Sequence, residues 1–135
     1  MTLTVESWCE ALESGKYKQT THSLRKGDGF CCLGVACDLS GAGEWDGDCF
    51  FVADLPEEEV LPEEIKEQLG FSTDMGHFDF NDLPFSLRHE LAPYRSTVAD
   101  CLALLNDGGA CFPLIAKVIR ARPKGLFRDD APSAP

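Results

Sequence analysis

Residues 30–38 read FCCLGVACD, three cysteines in nine positions around a glycine with apolar neighbours. Taken on to SGAG at 40–43, the stretch predicts a short buried helix, with Cys32, Val35, Ala36 and Leu39 on one face and small residues ending it. Gly34 lowers helix propensity by about 1 kcal/mol relative to alanine, so its use inside the helix predicts a close packing contact. Cys31 and Cys32 stand at the helix start, where the dipole lowers a thiol's pKa, and are the weak candidates for a nucleophile. A cysteine hydrolase also needs a histidine base and an orienting group. His22, His77, His89, Asn106 and Asp107 are present without a recognisable catalytic pattern, which leaves enzyme function uncertain and leaning to no. A bond between the adjacent Cys31 and Cys32 would be strained.

The seven cysteines include no CxxC pair, so neither a structural metal nor any other cofactor is expected, and core thiols are the plainer reading. An odd count with no evident export signal at the start fits reduced thiols in a cytosol. No apolar run approaches about 18 residues, so no membrane partner is expected.

Outward from this stretch, Val5, Trp8, Cys9 and Leu12 recur at helical spacing, with Thr4 as cap and Gly15 as stop. KYKQTTHSLRKGDGF (16–30) predicts extended chain or a hairpin, and the run Cys49–Ala53 predicts a strand paired with the segment near Tyr17. Pro62 and the acids after it open a helix with Ile65 and Leu69 inside and Gly70 at its end. Residues 71–95 hold scattered breakers, with a turn or two of helix expected at LPFSLRHEL. Ser96 is expected to cap a helix carrying Val98, Cys101, Leu102 and Leu105 and ending at Gly108. Pro113 opens another, with Phe112, Ile115, Ala116 and Ile119 apolar. These elements add up to an α+β fold, a mainly helical single domain over 1–122 with a small antiparallel sheet or hairpin. A flexible tail is expected over 123–135.

Charge is the most uneven property. Residues 38–82 hold 14 acids against one base, Lys66, whereas the remainder has nine acids and 11 bases. Direct nucleic-acid binding through the middle would be repelled. Glu57, Glu58, Glu59, Glu63, Glu64 and Glu67 instead form a face for a protein with a basic surface, although a solubilising coat explains the same acids. Four bases lie in KYKQ and SLRKGDG. There Tyr17, Lys18, Gln19 and Arg25 supply charge and a stacking face for a small nucleotide, with a solvated loop as the alternative. In LNDGG (105–109), Asn106 and Asp107 read as backbone-bonding helix-end residues.

W-x-x-A-L-x-S-G-K-Y-K-Q (Trp8–Gln19), L-R-x-G-D-G-F-C-C-L-G-V-x-C-D (Leu24–Asp38) and L-N-D-G-G-x-x-F-x-x-I-A-x-x-I (ending at Ile119) stand in this order. Together with Trp45, Leu61–Pro62 and Leu69–Phe71, they resemble a family of small uncharacterised proteins of tailed bacteriophages and prophages. The resemblance implies a phage-related origin and a cytoplasmic life in a bacterial host cell, and carries over no catalytic role. No family motif is matched between Ser72 and Arg95. The resulting expectation is a phage accessory protein that binds and neutralises a host component, such as a nucleic-acid-binding defence complex. Nucleotide sequestration and cysteine-dependent hydrolysis stand as alternatives.

Overall fold

The computed structural model describes residues 3–128. The first helix, α1, spans Val5–Glu13 and is closed by a capping box in which Thr4 and Ser7 exchange side-chain-to-backbone hydrogen bonds. Three two-residue strands follow: β1 (Lys18–Gln19), β2 (Arg25–Lys26) and β3 (Gly29–Phe30), in the order β1-β3-β2. The β2–β3 hairpin turns at Gly27 with φ +61°, while β1 runs parallel to β3. Helix α2 (Cys32–Ser40) comes next, then a second sheet of β4 (Glu44–Asp46), β5 (Cys49–Val52) and β6 (Leu55–Glu57), antiparallel throughout. The remaining regular elements are helices, α3 (Glu63–Leu69), α4 (Phe85–Leu91), α5 (Leu102–Asp107) and α6 (Phe112–Ala121), with short 3-10 turns at Phe80–Asp82 and Ala92–Tyr94 and irregular chain between them. The result is a small α+β domain.

The core explains why these elements meet. Helix α2 is buried nearly all round, with Cys32, Leu33, Gly34, Val35, Ala36 and Cys37 inside. A Cβ at Gly34 would overlap the Leu24 carbonyl, which also accepts the Cys31 N–H at 3.0 Å. The glycine therefore admits the strand segment against the helix, the close contact its position predicts. Helix α1 sits against α2 through Trp8, whose indole N–H donates to the Cys32 carbonyl at 2.9 Å. On its other side α1 packs along α6, where Arg120 donates to Glu13 at 2.8 and 3.0 Å and to Glu6 at 2.7 Å. All seven cysteines are free, five of them buried among apolar side chains.

Three expectations need correction. The strand at 49–52 pairs with β4 and β6, not with the segment near Tyr17, because Gly47 at φ +62° turns the chain straight back onto its neighbour. Ser96 does not cap a helix. It accepts the Val98 N–H in a local turn at 3.0 Å, Val98 is 85% exposed, and α5 starts six residues later. The intervening backbone has other partners: the Asp100 carbonyl accepts from Phe78 N–H, and the Leu102 and Ala103 N–H groups donate to Gly76 and Met75. The first residues of the expected tail, 123–128, pack against the domain. Leu126 is buried, Phe127 bridges to Phe71 with ring centroids 5.2 Å apart, and the Arg128 N–H donates to Gly70 at 2.8 Å. The remainder of that tail, 129–135, lies outside the described residues.

One polar side chain joins the elements. Asn106, with no exposed surface, accepts the Cys32 N–H at 3.1 Å and the Gln19 amide at 2.9 Å, and donates to the Thr20 carbonyl at 2.8 Å. A buried donor or acceptor left unpaired costs about 1–3 kcal/mol. Asn106→Ala strands both the Cys32 N–H and the Thr20 carbonyl, so a loss of roughly 3 kcal/mol is expected in urea unfolding. A change below about 0.5 kcal/mol, the usual effect of a surface substitution, would show that the contact is dispensable.

Candidate functional site: an acid-rimmed apolar groove

The residues singled out for nucleotide binding are placed by β1 and the β2–β3 hairpin, and they separate. Tyr17 donates its hydroxyl to Asp38 at 2.6 Å and meets Phe30 edge-on at 5.1 Å. Burial first, then the Asp38 carboxylate, pushes its pKa upward. Arg25 lies over Phe30 and Trp45 at 5.7 and 5.4 Å, so it shares this aromatic cluster with Tyr17. Lys18 instead pairs with Asp28 at 3.5 Å on the surface. Gln19 turns inward, donating to Asn106 and to the Ala110 carbonyl at 2.7 Å. Asp38, which also accepts the Trp45 indole N–H at 3.1 Å, organises the cluster. Sequence reasoning missed it, because its two partners, Tyr17 and Trp45, come from separate segments on either side of α2.

Cys31 caps α2 through its sulfur, which accepts the Gly34 N–H at 3.4 Å. It lines a pocket of about 280 Å³ that also includes His22 and Asp107. The Asp107 carboxylate there accepts the His22 backbone N–H at 2.7 Å, which helps hold His22 at φ +69°. Burial outweighs the helix-terminus effect on both thiols. Cys31 is 4% exposed with its pKa pushed up to about 11, and Cys32, fully buried, is raised well above the ordinary thiol value. Neither is poised as a thiolate at neutral pH. Among the described residues no group of three or more His, Cys, Asp or Glu side chains is placed to hold a metal ion.

The acidic residues converge. The turn between β5 and β6 is made by Ala53 and Asp54, both at positive φ (49° and 67°), and folds β6 back beside β5. Pro62, with φ −58°, then starts α3 next to this hairpin. Between the hairpin and the start of α3 lies a groove of about 410 Å³ with Val52, Ala53, Leu55 and Pro62 as its apolar lining. Glu57, Glu63 and Glu64 stand around it. A shallower depression beside it is lined by Pro56, Glu57, Glu58, Glu59 and Val60. The apolar lining was readable only as a V-A-D-L-P string, since nothing in the sequence showed that α3 would face it.

Cations reach one end of this face. Lys66 contacts Glu63 and Glu67 at 3.3 Å each, and Arg128 contacts Glu67 at 3.0 Å. Among the described residues, no ion pair reaches Glu57, Glu58, Glu59 or Glu64. Glu57 is half-buried, and its pKa is raised first by loss of water and then by the Asp74 carboxylate. A folded-state value above the unfolded one means that ionised Glu57 opposes folding. The relative stability is present when the group is protonated and is lost as pH rises through the folded pKa. Glu57→Gln should therefore melt higher than the parent at pH 7, with the two converging below about pH 4. Equal midpoints at both pH values would show that Glu57 carries no such penalty.

Among the described residues, no helix is long and apolar enough to cross a membrane. No curated protein and no solved structure matches the chain. The family described as Domain of unknown function (DUF8296) matches residues 2–123, nearly the whole chain, and the protein belongs to that family.

Proposed function

We propose that this chain is a phage accessory protein, acting in the cytoplasm of a bacterial host, that binds and neutralises a host protein with a basic, nucleic-acid-holding surface. The observation that supports this reading is the run of carboxylates on β6 and the start of α3 with so little cationic compensation, Lys66 being the single base among 14 acids in residues 38–82. Such a face raises the local concentration of a basic partner and steers its approach. It also competes with the phosphate backbone such a partner normally holds. A coat serving solubility alone gains nothing from an acid such as Glu57, held half-buried at a cost to the fold. The nucleotide alternative has less support, because the polar ends of Tyr17 and Gln19 already bond within the chain. The hydrolase alternative has less again, since its thiols are protonated and buried.

The test uses the immobilised chain and a variant with Glu58→Lys, Glu59→Lys and Glu64→Lys, each loaded with bacterial lysate. The parent should retain basic nucleic-acid-binding proteins that elute as salt rises from roughly 0.1 to 1 M, where the screening length falls from about 10 to 3 Å. Added duplex DNA should displace them, and the variant should lose them. Retention equal on parent and variant, or no retention at any salt, would overturn the reading.

A further inference from the structure

Acidity by itself does not explain the lining of the groove between β5, β6 and α3. Leu55 is 71% exposed, one of the few large apolar side chains on the surface among the described residues. Val52, Ala53 and Pro62 line the same groove. Exposed apolar surface is unfavourable in water, and a concave apolar lining rimmed by polar groups is the form that a side-chain-sized contact takes. The backbone beneath is also unfavourable. Ala53 sits at φ +49°, a region that suits glycine or asparagine in a two-residue hairpin turn. Strain of this kind persists where the surroundings require it. At about 410 Å³ the groove lies within the size range of binding pockets, roughly 300–1,000 Å³.

Resting on the binding function proposed above, we infer that this groove receives one aliphatic side chain of the basic partner, flanked by lysines or arginines that meet Glu57, Glu63 and Glu64. The charge of the rim selects the flanking residues. The lining supplies methyl and methylene groups and no aromatic ring, so a leucine-like anchor fits it better than a stacking base. A second copy of this chain is a poor occupant, because a net charge of −11 opposes self-association and its own acids would face the same rim. Charge then sets the encounter rate and the apolar anchor sets the lifetime of the complex.

Two fluorescein-labelled peptides of equal charge test this: Lys-Lys-Arg-Leu-Arg-Lys-Lys, and the same peptide with serine in place of leucine. Both should bind in a salt-dependent manner by fluorescence anisotropy, the leucine peptide about tenfold tighter. Leu55→Ser alters an exposed side chain and should leave the fold intact, which circular dichroism checks. It should abolish the preference for leucine while salt-dependent binding persists. Equal affinity of the parent for the two peptides would overturn the anchor and leave the acidic binding face standing. A leucine preference that survives in Leu55→Ser would place the anchor elsewhere and overturn the inference. Failure of both peptides to bind at low salt would overturn the inference and the binding function together.

Discussion

The hydrogen bonds of one buried asparagine fix how the elements around this apolar core meet. Asn106 comes from α5, yet its partners lie on β1 and at the N-terminus of α2, more than 70 residues earlier in the chain. It satisfies the Cys32 N–H, one of the orphan donors at a helix start. It also secures the strand segment that passes in front of α2. Gln19 extends the same network to the Ala110 carbonyl, and Asp107 fixes the chain at His22. A buried amide with good partners specifies one arrangement of elements, whereas apolar contacts tolerate several.

This network explains why the motifs at the two ends of the chain look so particular. KYKQ reads on its own as a ligand grip or a solvated loop, FCCLG as a buried core helix with a nucleophile as the lesser reading, and LNDGG as a helix end. In three dimensions they meet, and they are largely spent on one another. The thiols are packing groups and a helix cap, and the glutamine is a structural donor. The second sheet and the start of α3 are not drawn into this network, and there acids gather around the exposed Leu55. The core draws on the whole chain, from Trp8 and Leu33 through Phe50, Ile65 and Phe71 to Ile115, while the carboxylates of the middle lie on its outside.

The sequence made the helices legible wherever one apolar face and a terminal signal agreed. Trp8, Cys9 and Leu12 with Thr4, Ile65 and Leu69 with Gly70, and Ile115, Ala116 and Ile119 with Pro113 all read correctly. It misled where distant backbone groups competed. Ser96 and Val98 have helical spacing with Cys101 and Leu102, but the carbonyls of Met75 and Gly76 take the amides that would lie inside such a helix. Strand pairing was also hidden, since two-residue turns at Gly47 and at Ala53–Asp54 fix it locally, and the second of these lacks glycine. The acids of the candidate face were plain from the charge count, whereas the groove among them was not. Its lining comes from the β5–β6 hairpin and the start of α3, which only the folded chain brings together.

Native-state hydrogen exchange tests the division between a pinned core and a presented face most directly. If Asn106 fixes how the elements meet, the Cys32 amide exchanges only through global unfolding, with the same free energy as urea denaturation gives. The amides of the β5–β6 hairpin then exchange through smaller local openings. Exchange of Cys32 as fast as that of the hairpin would contradict this, and would mean that the core is held together by apolar packing without the asparagine.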